Sequence, residues 1–155
     1  MRLGLYVGLA PRIKGLIGIK AEEVLGPELA PAFGATWVAG GTGATTDAGG
    51  AHFAASSSTA VVEVTSITAL NDNAVYRVQF TVANYVQGSV RVQAYGDTAN
   101  HLGTAGPVTA NGVYSFDVTT SATGSLTNRI RIQSNGPSSP GNTLDVTAIS
   151  VREVT

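Results

Sequence analysis

Seven side chains have the types and spacing to grip a polar ligand: Arg77, Gln79, Arg91, Gln93, Tyr95, Arg131 and Gln133. All sit in runs where apolar and polar residues alternate. Val78, Phe80 and Val82 alternate with Arg77, Gln79 and Thr81, and Val90, Val92 and Ala94 alternate with Arg91, Gln93 and Tyr95. The run RIRIQ at 129–133 repeats the pattern, with Ile130 and Ile132 as its apolar set. Period-2 alternation gives one buried and one wet face. Guanidinium and amide groups form paired hydrogen bonds with vicinal hydroxyls, and a Tyr ring offers a flat apolar platform. The wet face therefore reads as a polar sugar- or protein-binding surface. Its bland counterpart is a solvated sheet exterior.

Other chemistries find less support. The chain has two histidines, His52 in a strand-like run and His101 in a loop-like one, both read as structural or solvated. No Gly-x-Ser-x-Gly elbow, His-Glu-x-x-His pair or phosphate-cradling loop occurs. GGTGATT at 40–46 lacks the Lys and the following helix of a phosphate loop and reads as turn or linker. Glycoside hydrolysis needs two converging carboxyls, and Asp47, Glu63, Asp72, Asp97, Asp117 and Asp145 are scattered along the chain. A non-catalytic domain is expected. Arg77, Arg91, Arg129 and Arg131 are all outward by alternation, but the body carries no basic surplus of the kind a nucleic-acid module shows.

The elements that position these residues are strands. Val75–Gly96 reads as two strands joined by a short turn at Val86–Ser89, forming a central hairpin. Further strands are expected at Ala51–Ala55, Ala60–Ile67, Val113–Thr120, Arg129–Gln133 and Thr143–Val154, the last with a bulge where its phase shifts between Val146 and Ile149. Asp97–Asn111 reads as loop, punctuated by Gly103, Gly106 and Pro107. About eight strands with turn chemistry between them predict an all-β, antiparallel jelly-roll sandwich. Its expected core is Trp37, Phe53, Tyr76, Phe80, Tyr114, Phe116, Ile130 and Ile132.

Bulk properties agree. Hydrophobic residues make up 43% of the 155, and charged residues only 12%. That suits a packed β domain with small polar groups on its surface. The absence of Cys removes disulfides and thiolate metal sites. No run of about 20 apolar residues exists for a membrane-spanning helix, and no membrane insertion is expected. Residues 1–26 stand apart. They carry Arg2, Arg12, Lys14 and Lys20 with no acid through Lys20, whereas five Arg face ten Asp and Glu from residue 21 on. LGLYVGLA after Met1-Arg2 superficially suggests a signal peptide, but the apolar run is short and Pro11, Arg12 and Lys14 follow directly. The segment reads as an extended assembly arm, with Arg2, Leu5, Tyr6, Arg12, Lys14, Ile17 and Lys20 as candidate contacts. A first strand of the same domain is the alternative. The boundary falls at Gly26-Pro27, leaving 27–155 as the jelly roll.

The segments GPELAPAFGATWVAGGTGATT (26–46), VYRVQFTVANYVQGSVRVQAYG (75–96), GVYSFDVTT (112–120) and LDVTAISVREV (144–154) resemble jelly-roll carbohydrate-binding modules found beside bacterial glycoside hydrolases. They also resemble similar domains of phage tail and capsid fibres. The resemblance spans about 130 residues and implies a non-catalytic, polysaccharide-binding sandwich. Jelly rolls often hold a Ca2+ ion, for which Glu28 and Asp145 are the candidates. The chain departs from the family pattern at Ala30-Pro31-Ala32-Phe33 and Leu144-Asp145, and no other cofactor is implied. A jelly roll with a basic arm and no attached enzyme resembles a virion component: a head fibre, decoration or tail-associated protein. It would dock on capsid or tail proteins through residues 1–26, form a homo-oligomer, with a trimer favoured, and face a cell-surface polysaccharide. A free-standing carbohydrate-binding module is the alternative.

Overall fold

The computed structural model describes residues 23–96, 101–121, 127–136 and 141–155. The arm residues Arg2, Leu5, Tyr6, Arg12, Lys14, Ile17 and Lys20 lie outside this set, as does the turn expected at Ala122–Gly124. Ten strands form: β1 (Trp37–Gly40), β2 (Ala44–Asp47), β3 (Gly50–Ser56), β4 (Val61–Leu70), β5 (Val75–Gln87), β6 (Val90–Gly96), β7 (His101–Val108), β8 (Gly112–Thr119), β9 (Thr127–Ser134) and β10 (Asn142–Glu153). They pair antiparallel into two five-stranded sheets, a front sheet in the order β1-β4-β9-β6-β7 and a back sheet in the order β2-β3-β10-β5-β8. The expected all-β jelly-roll sandwich is the observed fold.

Alternation built the core as expected. Trp37, Val62, Val64, Val90, Val92, Ile130 and Ile132 of the front sheet are buried, as are Phe53, Tyr76, Val78, Phe80, Val82, Leu144, Val146 and Val151 of the back sheet. Tyr114 and Phe116 are only half-buried, because β8 is an edge strand. Their rings still meet Phe80 at 5.7 and 6.0 Å. The phase shift in β10 is a real irregularity: its register against β5 slips between Val146 and Ala148.

The central hairpin is a correction. β5 and β6 follow one another in sequence but do not pair. β5 lies between β10 and β8 in the back sheet, and β6 lies between β9 and β7 in the front sheet. The turn at Val86–Ser89 is therefore a corner that carries the chain across the sandwich. Gly88 makes it at φ 90°. A Cβ there would collide with the Asn142 side chain, which occupies that space. Asn142 is fully buried; its Oδ1 accepts from the Ser89 N–H at 3.0 Å and its Nδ2 donates to the Ser56 carbonyl at 3.4 Å.

A second correction concerns Asp97–Asn111. Its second half is β7, which pairs with β6, and His101 lies in this strand rather than in a loop. Glycine hid it. At Gly103 the space of a side chain is taken by Val118 of the opposite sheet, so the position reads as turn although it is strand. β1 and β2, four residues each, were also not expected as strands from their Gly-, Ala- and Thr-rich text.

β3 pairs with β10 only along Asn142–Val146. Beyond it, residues 25–29 run beside β10: Leu25 bridges Val154, Gly26 donates to the Glu153 carbonyl, and Leu29 donates to the Val151 carbonyl.

Replacing Asn142 by Ala should leave the Ser89 N–H unsatisfied and open a small void at the corner. The expected cost is about 2–4 kcal/mol, read as a lower urea midpoint with unchanged slope. A stability equal to that of the parent would show that the amide does not hold the corner.

Candidate functional site

The front sheet's core-facing residues leave Glu63, Thr65, Arg129, Arg131, Gln133, Arg91, Gln93 and Thr104 for its outer face, by strand alternation. Register sets them in rows. Glu63 pairs with Arg131, Arg131 with Gln93, and Gln93 with Thr104, giving one row across β4, β9, β6 and β7. Gln133 and Arg91 form the neighbouring row, and Thr65, Arg129 and Tyr95 a third. The Tyr95 side chain lies outside the described residues.

Hydrogen bonds knit these rows. Arg131 Nε donates to Glu63 Oε2 at 2.7 Å, and Arg129 approaches Glu63 Oε1 at 3.8 Å. Arg91 donates to Gln133 Oε1 at 3.0 Å, and Gln93 Nε2 reaches Thr104 Oγ1 at 3.5 Å. For an outer face the group is unusually sheltered. The side chains of Glu63, Arg131 and Arg129 are 21, 18 and 26% exposed, and Gln93 as a residue only 2%. Gln93 was expected on a wet surface. It lies in the row with Arg131 and Thr104, where long side chains bury their apolar stems along the sheet. Three buried polar atoms of this face have no partner: Arg91 Nε, Arg129 Nε and Gln93 Oε1.

The structure thus brings Arg91, Gln93, Arg131 and Gln133 together and adds Arg129, Glu63 and Thr104. It separates Arg77 and Gln79 from them. Those two belong to the back sheet, because β5 and β6 lie in different layers. Arg77 donates Nε to Asp117 at 2.8 Å and both terminal nitrogens to Glu23 at 2.6 and 2.7 Å. Asp117, then Glu23, push the Arg77 pKa up, and Arg77 in turn holds the Asp117 carboxyl below its ordinary range. Gln79 donates to Ser115 at 3.3 Å. Glu63 was within reach of sequence reading, since it is the outward residue in AVVEVTSI. Thr104 was not, since its strand read as loop.

The back sheet's outer face carries a second polar group. His52 bridges Asp145 at 2.9 Å and Asp47 at 3.1 Å, and Asn84 donates to the other Asp145 oxygen at 2.6 Å. Glu28 accepts from Ser150, from the Val151 and Ala30 amides and from Arg152. Burial pushes the Glu28 carboxyl up, but those four donors outweigh it and hold its pKa low. The calcium candidates Glu28 and Asp145 are therefore engaged with separate partners. Among the described residues no group of three or more His, Asp and Glu forms a metal cage. An open depression of about 270 Å³ lies between Phe33, Ala48 and Thr147–Ile149.

With this geometry in hand, solved structures supply the comparison. A CBM4 structure is similar over 76% of this chain and 94% of its own, with a TM-score of 0.51 and 17% identity. The two share the jelly-roll fold. Weaker likenesses are the C-terminal CBM6 of LamC, a marine laminarinase from Zobellia galactanivorans (TM-score 0.48, 13% identity, 75% of this chain and 98% of its own), and CBM29_1, a family 29 carbohydrate-binding module from Piromyces equi (0.47, 15%, 86% and 90%). No protein-family model matches this jelly roll, and no curated protein matches it.

The His52 bridge makes the domain's stability pH-dependent. Hydrogen bonds to Asp47, then to Asp145, raise the His52 pKa above its ordinary value of 6.5, and His52 holds the Asp47 carboxyl low. A raised histidine stabilises fully below the unfolded pKa and loses that contribution as pH rises through the folded one. The urea midpoint should therefore fall as pH rises above about 6.5. His52→Gln should flatten that slope; a slope unchanged by the substitution would assign it elsewhere.

Proposed function

We propose that this chain is a non-catalytic carbohydrate-recognition protein whose ligand lies on the outer face of the front sheet. The observation that carries this is the row Glu63–Arg131–Gln93–Thr104 with Arg91 and Gln133 beside it, on a sandwich similar to a CBM4 structure. Planar amide and guanidinium groups held flat by their neighbours present preorganised donors and acceptors to sugar hydroxyls. The carboxyls of Glu28, Asp47 and Asp117 are all pushed down. A glycosidase's general acid is pushed up instead.

The assembly reading rests on residues 1–26 and their four cations. We propose that this segment docks the module on a larger particle, in a virion as head fibre, decoration or tail-associated protein and as a trimer. The front face would then serve host-surface attachment or particle stabilisation. Removing residues 1–22, which spares the Glu23 and Leu25 contacts with the sandwich, should leave a folded β domain that no longer joins particles, and full incorporation of the truncated form would refute the docking role. A free-standing module is the alternative, and it keeps the same binding face.

The face itself is tested by retention on a panel of immobilised neutral and acidic polysaccharides. Arg91→Ala with Gln133→Ala should abolish retention. Arg77→Ala, on the opposite sheet, should leave it intact. Retention that survives the double change, or none on any polysaccharide, would defeat the assignment.

A further inference from the structure

The charge on the front face points to the chemistry of its ligand. Residues 21–155 carry twice as many acids as Arg, yet three of the five Arg share this one face. The other two are each matched by carboxylates on the back sheet: Arg77 by Asp117 and Glu23, and Arg152 by Glu28. The front face does the reverse. Its one acid among the described residues, Glu63, is taken by Arg131 at 2.7 Å and meets Arg129 only at 3.8 Å. Arg91 donates to the neutral amide of Gln133. Among the described residues the face holds three Arg against one carboxylate, and the Nε atoms of Arg91 and Arg129 are buried without a partner.

Half-buried guanidinium groups short of a counter-charge are costly to hold, and an arriving anion relieves that cost. The guanidinium fork matches a planar carboxylate with two parallel hydrogen bonds. Resting on the carbohydrate-binding reading above, we infer that the ligand is an acidic polysaccharide built of uronate sugars. Its carboxylates sit on Arg91 and Arg129, and its hydroxyls lie over the Gln93–Gln133 amides. The acidic balance of the rest of the body opposes a nucleic-acid strand, which would run its charge across the whole domain.

Calorimetric titration of the full chain with oligogalacturonate, oligoglucuronate, oligomannuronate, methyl-esterified oligogalacturonate, a neutral β-glucan, dextran sulfate and a single-stranded oligonucleotide separates the cases. At least one oligouronate should bind, with affinity that falls as salt rises. Esterification, where the bound sugar is galacturonate, and either Arg91→Gln or Arg129→Gln should each weaken it at least about tenfold, the loss of one charge-assisted contact. Glu63→Gln should strengthen it, a gain that misfolding cannot produce. Binding of the neutral glucan with no oligouronate bound would overturn this inference and leave the carbohydrate reading standing. No saccharide bound at all would overturn both. Dextran sulfate or the oligonucleotide bound as tightly as the best oligouronate would mean general polyanion attraction and would also overturn it.

Discussion

The buried amide of Asn142 is the interaction on which the arrangement of this sandwich turns. It grips the Ser89 N–H on one side and the Ser56 carbonyl on the other, and its side chain fills the space left by Gly88. A buried amide is stable only when its polar atoms are paired. The corner must therefore take the one path that satisfies them. That path sends β6 away from β5 and into the opposite layer, where it lies between β9 and β7. Without that crossing, Arg91 and Gln93 would share a face with Arg77 and Gln79, and no row with Glu63, Arg131 and Thr104 would form.

The crossing also sorts charge. The back sheet neutralises its cations locally, with Arg77 between Asp117 and Glu23 and Arg152 on Glu28. Two further acids, Asp47 and Asp145, hold His52 between them, and Glu153 accepts from Asn71. Among the described residues, the front sheet collects Arg91, Arg129 and Arg131 around a single carboxylate. One layer is electrostatically closed and the other open. The polar face of greatest interest is thus also the one whose burial is least compensated, a common trade between stability and binding.

Much of this was legible in the sequence, and the exceptions have physical reasons. Alternation alone located the buried sets Val78, Phe80, Val82 and Ile130, Ile132, because burial of one face enforces period 2. It also exposed the slip in β10. It could not say which strands pair, since the two sheets use the same pattern and a two-sheet corner looks like a hairpin turn. That ambiguity merged Arg77 and Gln79 with the true neighbours of Arg91. β7 escaped notice for the opposite reason: Gly103 has no side chain to show a phase, and Gly106-Pro107 mimics a turn. Gln93 looked wet because alternation reports which side of a sheet a residue takes, not how deeply its neighbours shelter it.

The same Gly106-Pro107 pair has a bearing on solubility. An outer strand with free backbone groups is a template for a strand of another molecule. β7 ends the front sheet, and Pro107 removes one donor from its backbone while the register against β6 shifts twice. At the other front edge β1 is four residues long, as is β2 on the back sheet. β8 presents eight residues at the back margin, as β7 does at the front, but carries no proline, and its neighbour Arg77 ties Asp117 down along it. Among the described residues, three of the four sheet margins are thus blunted against strand addition, and β8 is the least guarded.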